Sequence, residues 1–341
     1  MESTEPSLLL SPEVPNTPKI PNRSRYSSKD WSRNLITLVT WKSSILQRIK
    51  GHLLFNVLVA LLAAFWKNFS PQSFFPMSTT PHSLAGAALS LLLVFRTNAA
   101  YDRFWEARKK LGGMVNGIRD LSRLAPFVMT RAEADEFGRL LVTFPYLLRS
   151  HLIGLQDGLL RESEPVVLKF LTPLQQKQLE GKSNKALASL YMMSEIVASS
   201  KTESLQMTAV RNMFEKNFAM LISTLGGCER LLNCPVPLSY SRHTSRFLTI
   251  WSMTLPFVLI PVLNWSAVPV IAIICWSLFS IEEIGHSIEE PFGMDSNELQ
   301  MRTLCDTVRK DVSTAYESRG GLEWLTHACA EADSNKRKDE E

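Results

Sequence analysis

The chain lacks the short motifs that mark most soluble enzymes. It has no G-x-S-x-G elbow, no phosphate-binding loop, no H-E-x-x-H pair and no glycine-rich dinucleotide turn. Its cysteines, Cys228, Cys234, Cys275, Cys305 and Cys329, are odd in number and scattered, with no C-x-x-C pair, so neither a zinc site nor a disulfide framework organises the fold. His82, His151, His243, His286 and His327 are far apart in sequence and read as packed or exposed side chains rather than ligands. Charge of one sign is also missing. The net charge of +4 is mild and the basic residues flank apolar runs instead of forming a stripe, which argues against a nucleic-acid partner. No enzymatic activity is expected, and no cofactor follows from these residues.

Long apolar runs are absent too, in the sense that none reaches the ~20 residues of a lone spanning helix. Shorter ones are present at His52 to Trp66, Ser83 to Phe95, Phe247 to Leu263 and Ala267 to Ile281. They come as two close pairs, each with a short link, as helical hairpins do when they cross a bilayer and return. Trp66, Trp251, Trp265 and Trp276 lie near run ends or within them, as interfacial aromatics do. A soluble protein with buried helices is the competing reading. Lys and Arg gather before the first run, after the second and before the third, whereas the two links hold one Lys, so both termini and the middle segment share the cytoplasmic-type side. The expected fold is all-α, a multi-pass membrane protein with four transmembrane helices at about 52–69, 83–103, 246–264 and 266–284 and a helical cytoplasmic-side region.

The stretch from Pro81 to Arg123 organises the rest. Its first half, Ser83 to Phe95, is small, apolar and uncharged, and its second half is densely charged. Ala87, Leu91 and Phe95 are spaced by four and form one stripe on a helix. Gly86 and Ser90 make a small-xxx-small pair that admits a close helix neighbour, which suits packing against copies of the same chain.

Around that stretch, residues 1–27 read as a disordered tail rich in Ser, Pro and Glu, 28–317 as one domain holding the apolar runs and 318–341 as a charged tail. Ser28 to Lys50 has the spacing of an amphipathic helix, either on the inner membrane surface or on the cytoplasmic bundle. Arg131 to Leu155 is helical, with Pro145 expected to kink or divide it. Pro165 and Pro173 open shorter helices, and Ser204 to Leu232 is long and helical, with Gly226-Gly227 inviting a bend or a close approach. Pro256 and Pro261 in the third run need neighbours or water to satisfy the carbonyls they free. Glu282, Glu283, Glu289 and Glu290 cluster before Pro291-Phe292-Gly293, as a metal or acid/base site or as a solvated helix end. A last helix covers Asn297 to Glu317.

Three motifs in order, SLAGAALSLLLVFRTNAAYDRFWEARKKLGG, LGGCERLLNCPVPLSYSRHTSRFL and SIEEPFG, resemble the bestrophin family of anion channels, closest to its bacterial, plant and algal branch. The resemblance spans roughly Lys29 to Tyr316 and implies a homopentamer whose second membrane helix lines a hydrophobic neck above a wider vestibule. Matched motif to motif, the neck falls on Ala87, Leu91 and Phe95, the stripe that spacing had already singled out. A lower constriction, counted back from LGGCER, falls on Ala209, with Arg211 and Lys216 nearby as a source of positive field. Animal members bind calcium after the same Pro-Phe-Gly with a run of aspartates. Here Asp295 and Glu298 are the candidate metal ligands, fewer than the six to eight oxygens calcium takes, so calcium stays an alternative to no cofactor.

The function expected from the residues and the resemblance is passive conduction of chloride, and of bicarbonate as an alternative ion, across a lipid membrane. A membrane-embedded carrier and a non-conducting scaffold are the other classes; a carrier would show matched repeats of broken helices, and the four runs show no clear repeat. The resemblance to plant and algal members implies a chloroplast thylakoid membrane. The acidic residues Glu2, Glu5 and Glu13 argue against simple plastid import, which keeps a plasma membrane open, and no cleaved signal peptide is expected because no apolar core follows a basic start.

Overall fold

The computed structural model describes residues 45–154, 170–199, 205–292 and 299–317, and among them every regular element is helical. In chain order these are α1 (Ile45–Phe69), α2 (Thr79–Val128), α3 (Arg131–Ile153), α4 (Pro173–Leu179), α5 (Lys185–Ser199), α6 (Leu205–Asn233), α7 (Leu238–Leu263), α8 (Ala267–Glu289) and α9 (Met301–Glu317). A 3-10 turn at Asn264–Ser266 joins α7 to α8. The tails at 1–27 and 318–341 and the opening of the Ser28–Lys50 helix lie outside the described residues, as does the helix expected at Pro165.

Among the described residues, three stretches are long and apolar enough to cross a membrane: 45–69, 79–128 and 238–289, the last containing α7, the turn and α8. The helices overrun the apolar runs that mark them. Residues 45–50 belong to α1 and not to a separate surface helix, because the helical spacing continues unbroken through Gly51, where nothing crowds the backbone. The helix expected over 83–103 is 50 residues long, so the apolar half and the charged half of the central stretch are one continuous element, α2.

Two apolar cores are threaded on α2. The first joins α1, the upper part of α2, α7 and α8 through Ala60, Ala63, Leu89, Leu93, Leu248 and Ile271. In α8 the residues Ala267, Ile271, Cys275 and Phe279, spaced by four, form its buried line, while Ile273 and Trp276 on the other side stay open. The second core is larger and joins the lower part of α2 to α3, α5, α6 and α9, with Phe137, Phe144, Phe214 and Phe218 among its largest side chains. Large apolar side chains left open on the helices around the first core, such as Leu54, Leu62, Ile250 and Ile273, are what a lipid or subunit contact requires and what a lone water-soluble chain avoids.

The prolines behave according to their surroundings. Pro145 does not divide α3, which is continuous from Arg131 to Ile153, because residues 140–148 are all buried and packing holds the helix through the lost hydrogen bond. Pro261 lacks the N–H that would meet the Phe257 carbonyl, and the Met77 N–H, from the link after α1, fills that place at 3.2 Å. Gly226-Gly227 leave α6 unbroken; Gly227 instead lets the Lys110 stem of α2 lie against the helix. Thr172 opens α4 with a capping box to Gln175, and Gly181 turns the chain with φ 72°.

Candidate functional site

The upper part of α2 is two-faced. Leu89 and Leu93 are 1% and 2% exposed, held in the first core, whereas Leu91 and Phe95 are 56% and 58% exposed and Ala87 is open beside them. The three residues of the expected neck therefore share one free, uncharged face of the helix. Within the chain, Trp251 of α7 lies against Gly86, and Ser90 turns its hydroxyl to the Gly86 carbonyl at 2.8 Å. Trp251 also donates its indole N–H to the His82 carbonyl at 3.1 Å and stacks on the His82 ring.

One residue past Phe95, the helix turns a cation inward. Arg96 is 4% exposed, with Nη1 2.7 Å from Glu282 Oε1 and Nη2 3.8 Å from Glu289 Oε2, both on α8. Ser245 of α7 donates to the same Glu282 oxygen at 2.5 Å. Glu283 pairs with Arg48 of α1 at 3.3 Å. The glutamates that read as a metal site or a solvated helix end are thus divided among cations of other helices, which fits neither alternative; Glu290 alone of the cluster is open. Among the described residues no group of His, Cys, Asp and Glu is arranged to hold a metal ion. Asp295 and Glu298 lie outside the described residues.

Two further cations cap helix ends. Arg103 of α2 donates to the carbonyls of Leu231 (2.7 Å), Cys234 (2.6 Å) and Glu289 (3.3 Å), gathering the C-terminal ends of α6 and α8. Lys67, the lone Lys of the links, donates from Nζ to the Ile260 and Pro261 carbonyls at 3.0 and 3.1 Å and to Asn264 Oδ1 at 2.7 Å, capping α7. Both reach carbonyls of the last turn of a helix, the Ile260 carbonyl also accepting the Asn264 N–H, and set positive charge against the negative end of the dipole.

Below Arg103, α6 runs antiparallel to α2, as the contacts of Arg103 with Leu231, of Lys110 with Gly227 and of Gly117 with Met220 show. A cavity of about 620 Å³ between them is lined by Asp102, Trp105, Glu106, Lys109, Lys110 and Thr224, a mixture of both signs. Glu106 is paired with Arg230. Continuing the same pairing puts Ala209 opposite the far end of α2, roughly 50 Å below Phe95 at 1.5 Å per residue. Ala209 is exposed there, with Arg211 and Lys216 exposed on the same helix. The fold does not bring Ala209 together with the neck residues. Sequence reasoning missed the roles of Arg96, Arg103 and Lys67 and read Glu282 as a metal or acid/base ligand or a solvated helix end rather than as the partner of Arg96; the available signal was a charge placed at the edge of each apolar run.

The comparisons with known proteins agree with this architecture. A family model described as "Bacterial/Fungal Bestrophin protein" matches residues 24–314. A voltage-dependent anion channel-forming protein of Synechocystis sp. is 30% identical over 292 residues, covering 81% of this chain and 89% of its own. The voltage-dependent chloride channel 2, chloroplastic, of Arabidopsis thaliana is 32% identical over 317 residues, covering 87% of this chain and 74% of its own. Among solved structures, that of a bacterial bestrophin homologue from Klebsiella pneumoniae, in a point-mutant form, superposes with a TM-score of 0.71 at 25% identity and covers 81% of this chain and 99% of that one.

Proposed function

The chain belongs to the bacterial/fungal bestrophin family, and from that premise we propose that it forms an anion channel conducting chloride, and bicarbonate as a second ion, passively across a membrane. The observation that carries the reading is the uncharged face of Ala87, Leu91 and Phe95, left open on a helix whose opposite face is locked into a core. Such a surface has two uses, contact with lipid or the wall of a pore. In a homopentamer with four membrane helices per subunit, α1, α2, α7 and α8, this face turns to the central axis and forms the neck. Apolar walls bind no anion, so selection there works through the cost of shedding water, and large, weakly hydrated anions pass more readily than small, strongly hydrated ones. Ala209 lines a lower constriction, and the positive groups of the cytoplasmic-side bundle raise the local anion concentration. The channel works without a resident cofactor. A thylakoid membrane is the proposed location, supported by relatives named as chloroplastic.

The test is purification in detergent, native mass measurement and reconstitution in a planar bilayer. A pentamer mass with anion-selective current, and an iodide permeability above that of chloride, supports the reading. A monomer, or a pentamer with no conductance, overturns it in favour of a membrane scaffold. Fluorescent tagging distinguishes a thylakoid from a plasma-membrane location.

A further inference from the structure

We infer that Arg96 is a positioning residue for the neck, fixing the rotation of α2 through its ion pair with Glu282 and Glu289 of α8; the inference rests on the channel reading above. Phe95 and Arg96 are adjacent, so about 100° separates them around the helix. One is 58% exposed on the free face and the other 4% exposed in the protein. Whatever holds Arg96 therefore sets the direction of Phe95. The leucines behind the neck, Leu89 and Leu93, make non-directional contacts that tolerate rotation. The Arg96 guanidinium does not, because its Nη1 meets Glu282 at 2.7 Å and the same carboxylate oxygen is held by Ser245 at 2.5 Å. The Arg96 Nε is buried with no hydrogen-bond partner, so the grip runs through the two terminal nitrogens alone. Glu289 is held twice, by Arg96 through its side chain and by Arg103 through its carbonyl, which ties the last turn of α8 to two turns of the same pore helix. Removing Arg96 leaves two largely buried carboxylates without it, and removing Glu282 leaves Arg96 only the longer contact with Glu289; rotating α2 to expose the unbalanced charge is the available relief.

Single-channel recording in planar bilayers tests this with Arg96→Gln, Glu282→Gln, the double variant, Arg96→Lys and Ser245→Ala, each first checked for the wild-type oligomer mass. Both single neutralisations should change the open-to-closed ratio by about fivefold or more, and the double variant by less than the product of the two, as coupled residues require. Arg96→Lys, which keeps the charge, should restore most of the wild-type ratio, and Ser245→Ala should shift it in the same direction by a smaller factor. Wild-type gating in the single variants, or effects that simply multiply in the double, would overturn the inference. If the neutralised variants do not assemble, Arg96→Lys and Ser245→Ala decide, and wild-type gating in both overturns it. Recording Leu91→Ala/Phe95→Ala alongside separates the two ideas: a changed neck variant with unchanged Arg96 and Ser245 variants removes this inference alone, while an unchanged neck variant removes the channel wall itself.

Discussion

The indole of Trp251 lies on the backbone of Gly86, so near that a Cβ added at Gly86 would stand 3.2 Å from two of its ring atoms. The contact joins α2 to α7 within one chain at the end of α2 where the proposed neck begins. A leucine at Gly86 has no room unless Trp251 moves, and overpacking of this kind costs about 1–3 kcal/mol. Gly86→Leu should lower the unfolding temperature of the detergent-solubilised protein, and adding Trp251→Ala should recover part of the loss. No recovery in the double variant would mean that the residue is crowded by another subunit instead.

The two faces of α2 should answer differently to the same substitution. Leu91→Ala with Phe95→Ala removes exposed apolar bulk, so stability should change little while conductance rises or gating weakens. Anion over cation preference should survive, because the ring carries no charge. Leu89→Ala with Leu93→Ala empties buried space and should cost about 2 kcal/mol or more per site, seen as lower expression and a lower unfolding temperature. Permeation changes confined to the Leu89/Leu93 pair would show that α2 is turned the other way in the assembly.

Much of this was readable in the chain. The stripe Ala87, Leu91, Phe95 follows from local spacing, and Pro256 and Pro261 announce carbonyls in need of partners, one of which Met77 serves. What was not readable depends on distance. Arg96 and Glu282 stand 186 residues apart, and neither residue type nor spacing says that one will meet the other. Gly86 shows the same limit from another side: a small residue signals that something comes close, and nothing local says whether it is a second copy or Trp251 of the same chain. Pro145, expected to kink or divide its helix, does not divide it, because the buried run around it holds the helix together.

Calcium should make no difference to the current. Asp295 and Glu298 offer too few carboxylates for a site of six to eight oxygens, so a chelator and Asp295→Ala should each leave open probability as it was. A matching loss of current under both treatments would establish a calcium-gated loop.

Thiol chemistry should separate two cysteines of α6 and its end. Cys228 is fully buried, and burial pushes its thiol up to about 12 from 9.0, against an opposing pull from Lys110. Cys234 is exposed. A maleimide at pH 8 should label Cys234 and spare Cys228. Because the folded state favours the neutral thiol, the stabilisation linked to Cys228 is complete below pH 9 and lost as pH rises toward 12. Labelling of Cys228 at neutral pH in the native protein would contradict this packing.

The two capping cations restrict how a pore built from this chain opens. Lys67 holds the end of α7 and Arg103 holds the end of α8, so the α7–α8 hairpin is pinned to α1 at one rim and to α2 at the other. Sliding that hairpin along the membrane normal by one helical turn, about 5.4 Å, would break the carbonyl contacts at both rims together. A piston stroke is therefore closed to this subunit. What remains for the channel proposed above is a twist or tilt of α2 about its Arg103 anchor, which would reorient the Phe95 ring while Lys67 keeps α1 and α7 together.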